Sequence, residues 1–318
     1  MNEEINPKPN HGRIYSFHKS SKRNRMTATR REDLIAVAIF LAPNLLGFLI
    51  FIGIPTIASL IISLYDWSLV GEPSFVGLTN FRRLFFEDRL FPTVLNNTFQ
   101  YVGLYVLSNV VFAMIMALWL TSWEKWSAFF RSVFFMPVIF PVIAVALVWQ
   151  LLYQPSFGLI NSILRIFGSG DIRWLADANY SMFAIVIMSI WLGFGYNLVI
   201  FIAAIRSIPD TYIEAAKIDG AGSWTLFWHI KLPSISPAVF FCVVMTVITS
   251  FQVFDQTYVL TGGGPVNSTN TLVLYLYQQG FQFFSMGYAS AIAWVLFAFI
   301  FVFTIVQSLA QKRWVHYE

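Results

Sequence analysis

The residues able to do chemistry fall in three places. Between Arg206 and Ser236 lies the run Glu214-Ala215-Ala216-Lys217-Ile218-Asp219-Gly220-Ala221-Gly222-Ser223, followed by Trp224, Phe227, Trp228 and His229. Within one apolar stretch, Ser189, Gly193, Tyr196 and Asn197 recur on one face of a helix. A second stretch carries Thr246, Thr249 and Ser250, with Gln252, Asp255 and Gln256 toward its other end. Hydroxyls, amides and an aromatic face suit a neutral polyol gripped by hydrogen bonds. The same small and hydroxyl residues also serve simply to pack helices together.

Other chemistries lack their residues. A phosphate-binding loop closes with Gly-Lys-Ser/Thr, and no glycine here is followed by lysine. The run Gly262 to Gly264 precedes Pro265 and is expected to be a flexible external turn or a contact for a solute-binding protein. His11, His18, His229 and His316 are scattered and suggest no metal site, and the lone Cys242 permits no intrachain disulfide. No nucleophile–base constellation appears, which disfavours a membrane enzyme. The expectation is a chain with no cofactor or metal of its own.

Composition says where such residues must sit. Of 318 residues, 57% are hydrophobic and 11% are charged, against about 25% charged in a soluble protein. That little charge cannot clothe a soluble surface, so most of the exterior should face a lipid bilayer. Six apolar segments near 34–64, 98–120, 131–153, 181–205, 237–260 and 286–309 are each long enough to cross it. The first exceeds one crossing and holds Pro43 and Pro55, so tilt or a proline break should absorb the excess.

Residues 1–33 carry eight Lys/Arg without a long apolar run, and read as a disordered basic tail rather than a secretory leader. With the N-terminus inside, fifteen of the 20 Lys/Arg fall on cytoplasmic segments and five on external ones. Both termini are therefore expected in the cytoplasm, in a cell membrane. The net charge of +4 then reflects topology and not nucleic-acid binding. The resulting organisation is a tail (1–33), a first span (34–64), an external loop (65–97), a core of five spans (98–309) and a short C-terminus (310–318). The external loop, with Trp67, Phe75, Phe81, Phe85 and Phe86, should form interfacial helices.

The connection 206–236 is long for a linker inside a bundle. Pro209 and Asp210 fit a helix start, and a Glu214–Lys217 pair supports a short helix to Ile218. Gly220 and Gly222 should end it, and Ser223 should cap a second helix, Trp224 to Leu232, that Pro233 closes. One arm is smooth with Ala215, Ala216 and Ala221 nearby; the other carries aromatic bulk with no lipid to face. Such an elbow looks made for another protein's groove.

Glu214-Ala215-Ala216, then Asp219-Gly220-Ala221, then Phe227, Ile230 and Leu232-Pro233, resembles the EAA loop of permease subunits in binding-protein-dependent ABC importers. Thr261-Gly-Gly-Gly-Pro265 and Gly287-Tyr-Ala-Ser-Ala291 are similar to its carbohydrate-uptake group, the maltose and glycerol-phosphate type. The resemblance runs from about residue 34 to 318. It implies an all-α integral membrane fold of six spans, the type I importer permease fold, with the EAA loop docked into a separate ATPase subunit. Glu214 and Asp219 would then be coupling residues, Glu214 contacting the ATPase and Asp219 bracing the Gly220 turn. The helices flanking the loop would line the path, and Asp255 with Gln256 would belong to an external gate or a subunit interface. The implied partners are a second related permease, two ATP-binding subunits that hold ATP and magnesium, and an external solute-binding protein.

No Lys or Arg is expected at mid-membrane, which favours a sugar over an anionic solute. Glycerol-3-phosphate or another non-sugar solute stays open as an alternative. A stand-alone ion-coupled transporter would need paired intramembrane carboxylates or broken half-helices repeated in two halves, and Asp255 alone supports it poorly.

Overall fold

A computed structural model describes residues 23–68, 71–123, 125–168, 170–312, 314 and 315. His11, His18, His316 and the first 22 residues of the basic tail lie outside these. The chain divides into two units, 1–58 and 59–318, and each is described separately.

In the first unit, α1 (Arg23–Phe48) begins eleven residues before the expected Leu34 start, so the last third of the tail is helical. Arg is a good helix former, and a helix need not stop where hydrophobicity does. A π-helical turn over Leu49–Gly53 carries the chain into α2 (Ile54–Ile62), which crosses into the second unit. The segment Ile35–Ile62 stays one helical span. Pro55 has no N–H for the preceding turn, and the wider turn just before it accommodates that loss without a break.

The second unit opens with a small hairpin that the sequence reading missed, β1 (Tyr65–Asp66) against β2 (Ser74–Phe75), with Tyr65 opposite Phe75. Asn80, on α3 (Thr79–Arg82), ties it down by donating from Nδ2 to the Ser63 and Tyr65 carbonyls, both at 2.9 Å. Helix α4 (Phe91–Thr121) starts seven residues ahead of the expected second span. Asp88 explains that start, because its Oδ1 accepts the N–H groups of Leu90 and Phe91 at 2.8 and 3.2 Å.

The expected third span is not one helix. It is α5 (Ser127–Phe135), a 3₁₀ turn over Met136–Ile139 and α6 (Val142–Leu152), with the two helical parts bent by 100°. Pro141 pushes Phe140 into an extended conformation (φ −74°, ψ 143°), which ends the helix there. Next come α7 (Leu159–Ile166) and α8 (Ala178–Arg206), whose first turn is capped by Asp177. The elbow follows as α9 (Asp210–Ile218), α10 (Ser223–Leu226) and α11 (Leu232–Ser234).

Helix α12 (Ser236–Phe251) ends nine residues before the expected limit of the fifth span. After a break at 252–254 come α13 (Asp255–Thr261), α14 (Leu272–Tyr277) and the last span, α15 (Met286–Gln311). Among the described residues, four helices are long and apolar enough to cross a membrane, or up to six if each bent pair counts as one span.

Helix α4 packs along α8 at the centre, with α12 beside both. Ala113 and Ala117 on α4 meet Leu198, Phe201 and Ile202 on α8 with no exposed surface on the two alanines. Large apolar side chains such as Leu107, Ile115, Leu147, Phe301 and Val306 point outward, as a bilayer as solvent requires and water would not permit.

Candidate functional site

The elbow is built from local rules. At the end of α9, Gly220 stands at φ +81°. The Ala221 N–H reaches back to the Ala216 carbonyl at 2.9 Å and the Gly220 N–H to Lys217 at 3.1 Å. This paired 6→1 and 5→2 pattern satisfies the last carbonyls of a helix and needs a left-handed residue at Gly220. Gly222 has no such role, because its φ is −75°. It serves as the N-cap of the second arm, and Ser223 is the first helical residue, without a capping hydrogen bond.

Pro233 does not close the second arm. A π-helical turn over Phe227–Lys231 precedes it, and helix continues to Ser234 before a 70° bend leads into α12. The wide turn again absorbs the missing proline N–H.

The two arms enclose a cleft of about 340 Å³ lined by Ala216, Asp219, Gly220, Ala221, Thr225, His229 and Ile230. Glu214 and Ala215 are exposed on the outer side of α9. The Glu214–Lys217 ion pair is not formed; the ion pairs among the described residues are Arg82–Glu87 and Arg165–Asp171. Asp219 is exposed at the end of α9, and its backbone N–H makes the ordinary helical bond to the Ala215 carbonyl at 3.0 Å. Ile213 packs on the bundle core and Leu226 is buried, which anchors both arms. Ile218 and Trp224, by contrast, are 86% and 74% exposed. Trp224, Phe227 and Trp228 meet edge-on or tilted, with Phe227 and Trp228 ring centres 5.1 Å apart.

A second group of polar residues lies where α4, α8 and α12 come together. An inner cleft of about 260 Å³ is lined by Tyr105, Gly193, Tyr196, Asn197, Met245, Thr246 and Thr249. An outer cleft of about 220 Å³ is lined by Tyr101, Tyr105, Thr249, Ser250, Gln252, Val253, Phe254, Asp255 and Gln256. Of the residues singled out from sequence, all but Ser189 on α8 and α12 therefore border one of the two clefts. Ser189 is buried, donates to its own helix at Ile185, 2.8 Å away, and sits behind Tyr101 without lining either cleft. Asp255 is not inside a span; it opens α13 beyond the end of α12.

Sequence reasoning missed Tyr101, Tyr105 and Asn109 on α4. The signal was present: Asn97, Tyr101, Tyr105 and Asn109 recur every fourth residue and so share one face. The rings of Tyr101 and Tyr105 stack at 5.5 Å.

The Gly262–Pro265 turn is cross-braced, contrary to the expected flexibility. Asn97 Nδ2 donates to the carbonyls of Asn267 and Asn270 at 2.7 and 3.0 Å. Ser268 pairs with Ser181 of α8 at 3.0 Å, and Thr269 donates to the Gly264 carbonyl at 2.8 Å.

Residues 109–316 match the model of the binding-protein-dependent transport system inner membrane component family. The chain belongs to that family. This inner membrane transport component is 36% identical over 292 residues to the probable ABC transporter permease protein YesP of Bacillus subtilis, covering 91% of the chain and 94% of YesP. It is 34% identical over 298 residues to the arabinooligosaccharides transport system permease protein AraP of the same species, covering 93% of the chain and 94% of AraP. It is also 31% identical to the lactose transport system permease protein LacF of Rhizobium radiobacter, covering 86% of the chain and 93% of LacF. A chain of a bacterial ABC transporter that imports the acidic polysaccharide alginate shares its fold, with TM-score 0.79 at 22% identity, covering 91% of this chain and 99% of that one.

The matched region of the permease holds the elbow and, apart from Tyr105, the lining of the inner cleft. Its α8 and α12, the helices on either side of the elbow, each supply walls of that cleft.

Proposed function

We propose that this permease passes a neutral sugar, delivered by an external solute-binding protein, through the inner cleft between α4, α8 and α12. The observation carrying this reading is the lining of that cleft: hydroxyls of Tyr105, Tyr196, Thr246 and Thr249, the Asn197 amide, and no ionisable group other than tyrosine. Hydroxyls and amides exchange hydrogen bonds with a polyol, and tyrosine rings offer stacking surface. An anion such as glycerol-3-phosphate would find no cation in either cleft. Relatives named for arabinooligosaccharides, lactose and trehalose/maltose support the same class.

Energy enters through the elbow. In this reading two separate ATPase subunits bind ATP and magnesium, and each elbow of a permease pair docks into one of them. Glu214 and Ala215 lie on the docking side of α9, Ala216, Asp219, Gly220 and Ala221 set the angle of the arms, and Asp255 with Gln256 guards the outer cleft. Both termini face the cytoplasm, and a second related permease completes the pathway.

The test is co-purification followed by transport. A tagged chain expressed with its neighbouring transport genes should bring down an ATPase. Vesicles containing the purified complex and binding protein should take up at least one of lactose, maltose, trehalose or arabinotriose, only when ATP is inside. Uptake by vesicles holding this chain alone would overturn the proposal.

A further inference from the structure

One buried donor in the bundle has no partner, and the hydrogen bonds around it fix which atom it is. Thr246 Oγ1 donates its single hydrogen to the Cys242 carbonyl at 2.6 Å, so toward Asn197 it can only accept. The Asn197 atom 3.0 Å from it is therefore the amide nitrogen. The second hydrogen of that nitrogen goes to Asn109 at 2.7 Å, so the Asn109 atom there is the oxygen. The Asn109 Nδ2 consequently points the other way, and it has no hydrogen-bond partner on a residue with no exposed surface. Such a group is costly to leave unpaired.

That nitrogen lies directly behind the cleft floor. A Cβ on Gly193 would stand 3.5 Å from Asn109 Nδ2 and 2.3 Å from the Tyr105 hydroxyl. Gly193 thus leaves a notch, and Tyr105 fills it. Tyr105 also borders both the outer and the inner cleft and so forms part of the wall between them.

We propose that Tyr105 is a movable partition between the two clefts, and that its displacement uncovers the Asn109 amide as a donor to a hydroxyl or ring oxygen of the passing solute. The inference rests on reading the clefts as the solute path. A rotation about the Tyr105 side chain would join the clefts, empty the Gly193 notch and give the unpaired nitrogen an acceptor. The oxygen of Asn109 would stay engaged with Asn197, so the donor would be held in place by α8 and α12. A side chain larger than glycine at 193 would block both movements.

Thiol accessibility in the whole transport complex tests this without knowledge of the sugar. In a Cys242→Ala background, Asn109→Cys and Thr249→Cys are treated with 2-aminoethyl methanethiosulfonate. Thr249→Cys should react readily, Asn109→Cys slowly, and adding Tyr105→Ala should speed the latter about tenfold or more. An Asn109→Cys that stays unreactive with Tyr105→Ala, while Thr249→Cys reacts, overturns the partition and leaves the solute path standing. An unreactive Thr249→Cys overturns the path itself. Should Asn109→Cys fail to assemble, Asn109→Asp keeps the acceptor oxygen and removes the donor. Uptake of whichever of lactose, maltose, trehalose or arabinotriose the complex carries should then show a KM raised about tenfold. An unchanged KM overturns the role of the donor.

Discussion

Asn197 Nδ2 donates to Thr246 Oγ1 at 3.0 Å and so bolts α8 to α12, the two helices that leave and enter the elbow. Both side chains are almost fully buried. The two helices that flank the elbow are therefore tied together inside the bundle.

Breaking that tie should destabilise the permease. Thr246→Val leaves the Asn197 amide short of one buried acceptor, which costs about 1–3 kcal/mol. Asn197→Leu strands both Thr246 and Asn109 at a similar cost of about 1–3 kcal/mol. Because the two residues share one bond, the double variant should lose less than the two single losses combined. Thermal denaturation of the detergent-purified chain measures all three.

Gly220 and Gly222 should respond oppositely to a side chain. Gly220 at φ +81° penalises any Cβ, so Gly220→Val should cost about 1–2 kcal/mol locally and splay the arms. Solute uptake should fall while the complex retains ATP hydrolysis. Gly222 at φ −75° tolerates a Cβ, and Gly222→Ala should transport at the normal rate. Paired uptake and ATPase assays on the reconstituted complex check both.

Trp224 should matter to assembly and not to folding. At 74% exposed it supports no core, so Trp224→Ala should change chain stability by no more than about 0.5 kcal/mol. Recovery of the ATPase with a tagged chain should nonetheless drop several-fold, as loss of an aromatic anchor at an interface requires. Equal recovery would show that the aromatic arm docks elsewhere.

Asp88 predicts an acid sensitivity at the start of α4. Burial pulls its pKa upward, but hydrogen bonds from the Tyr275 and Tyr288 hydroxyls and from the Leu90 and Phe91 N–H groups outweigh burial, and the net pKa is lowered from the ordinary 3.8. A lowered pKa in the folded chain means the stabilisation is complete above that ordinary value and fades as pH falls through the lower folded one. Asp88→Asn should therefore melt below the parent protein at neutral pH, and the gap should narrow below about pH 4. Melting curves from pH 7 to pH 3 test the sign.

The elbow was readable because its determinants are local. A left-handed glycine after Ile218, with small residues before it and aromatics after it, dictates a capped turn whatever surrounds it. The bends were harder. Pro141 breaks its helix while Pro55 and Pro233 are carried through by π-helical turns, and residue type alone does not separate the two outcomes. The hairpin at Tyr65–Phe75 depends on the anchor Asn80, and the start of α4 depends on Asp88; both lie in a segment whose aromatic content pointed instead to interfacial helices.

Hydrophobic content, charge asymmetry and the elbow motif are properties of short stretches, and they point to a multi-span membrane component of this family before any packing is known. Packing adds what short stretches cannot hold. The bond from Asn109 to Asn197 joins residues 88 positions apart, and the notch at Gly193 exists only because Tyr105 from another helix fills it. Periodicity names the face of each helix that is polar, but which faces meet, and which donor is left waiting between them, is set by how three helices close around one another.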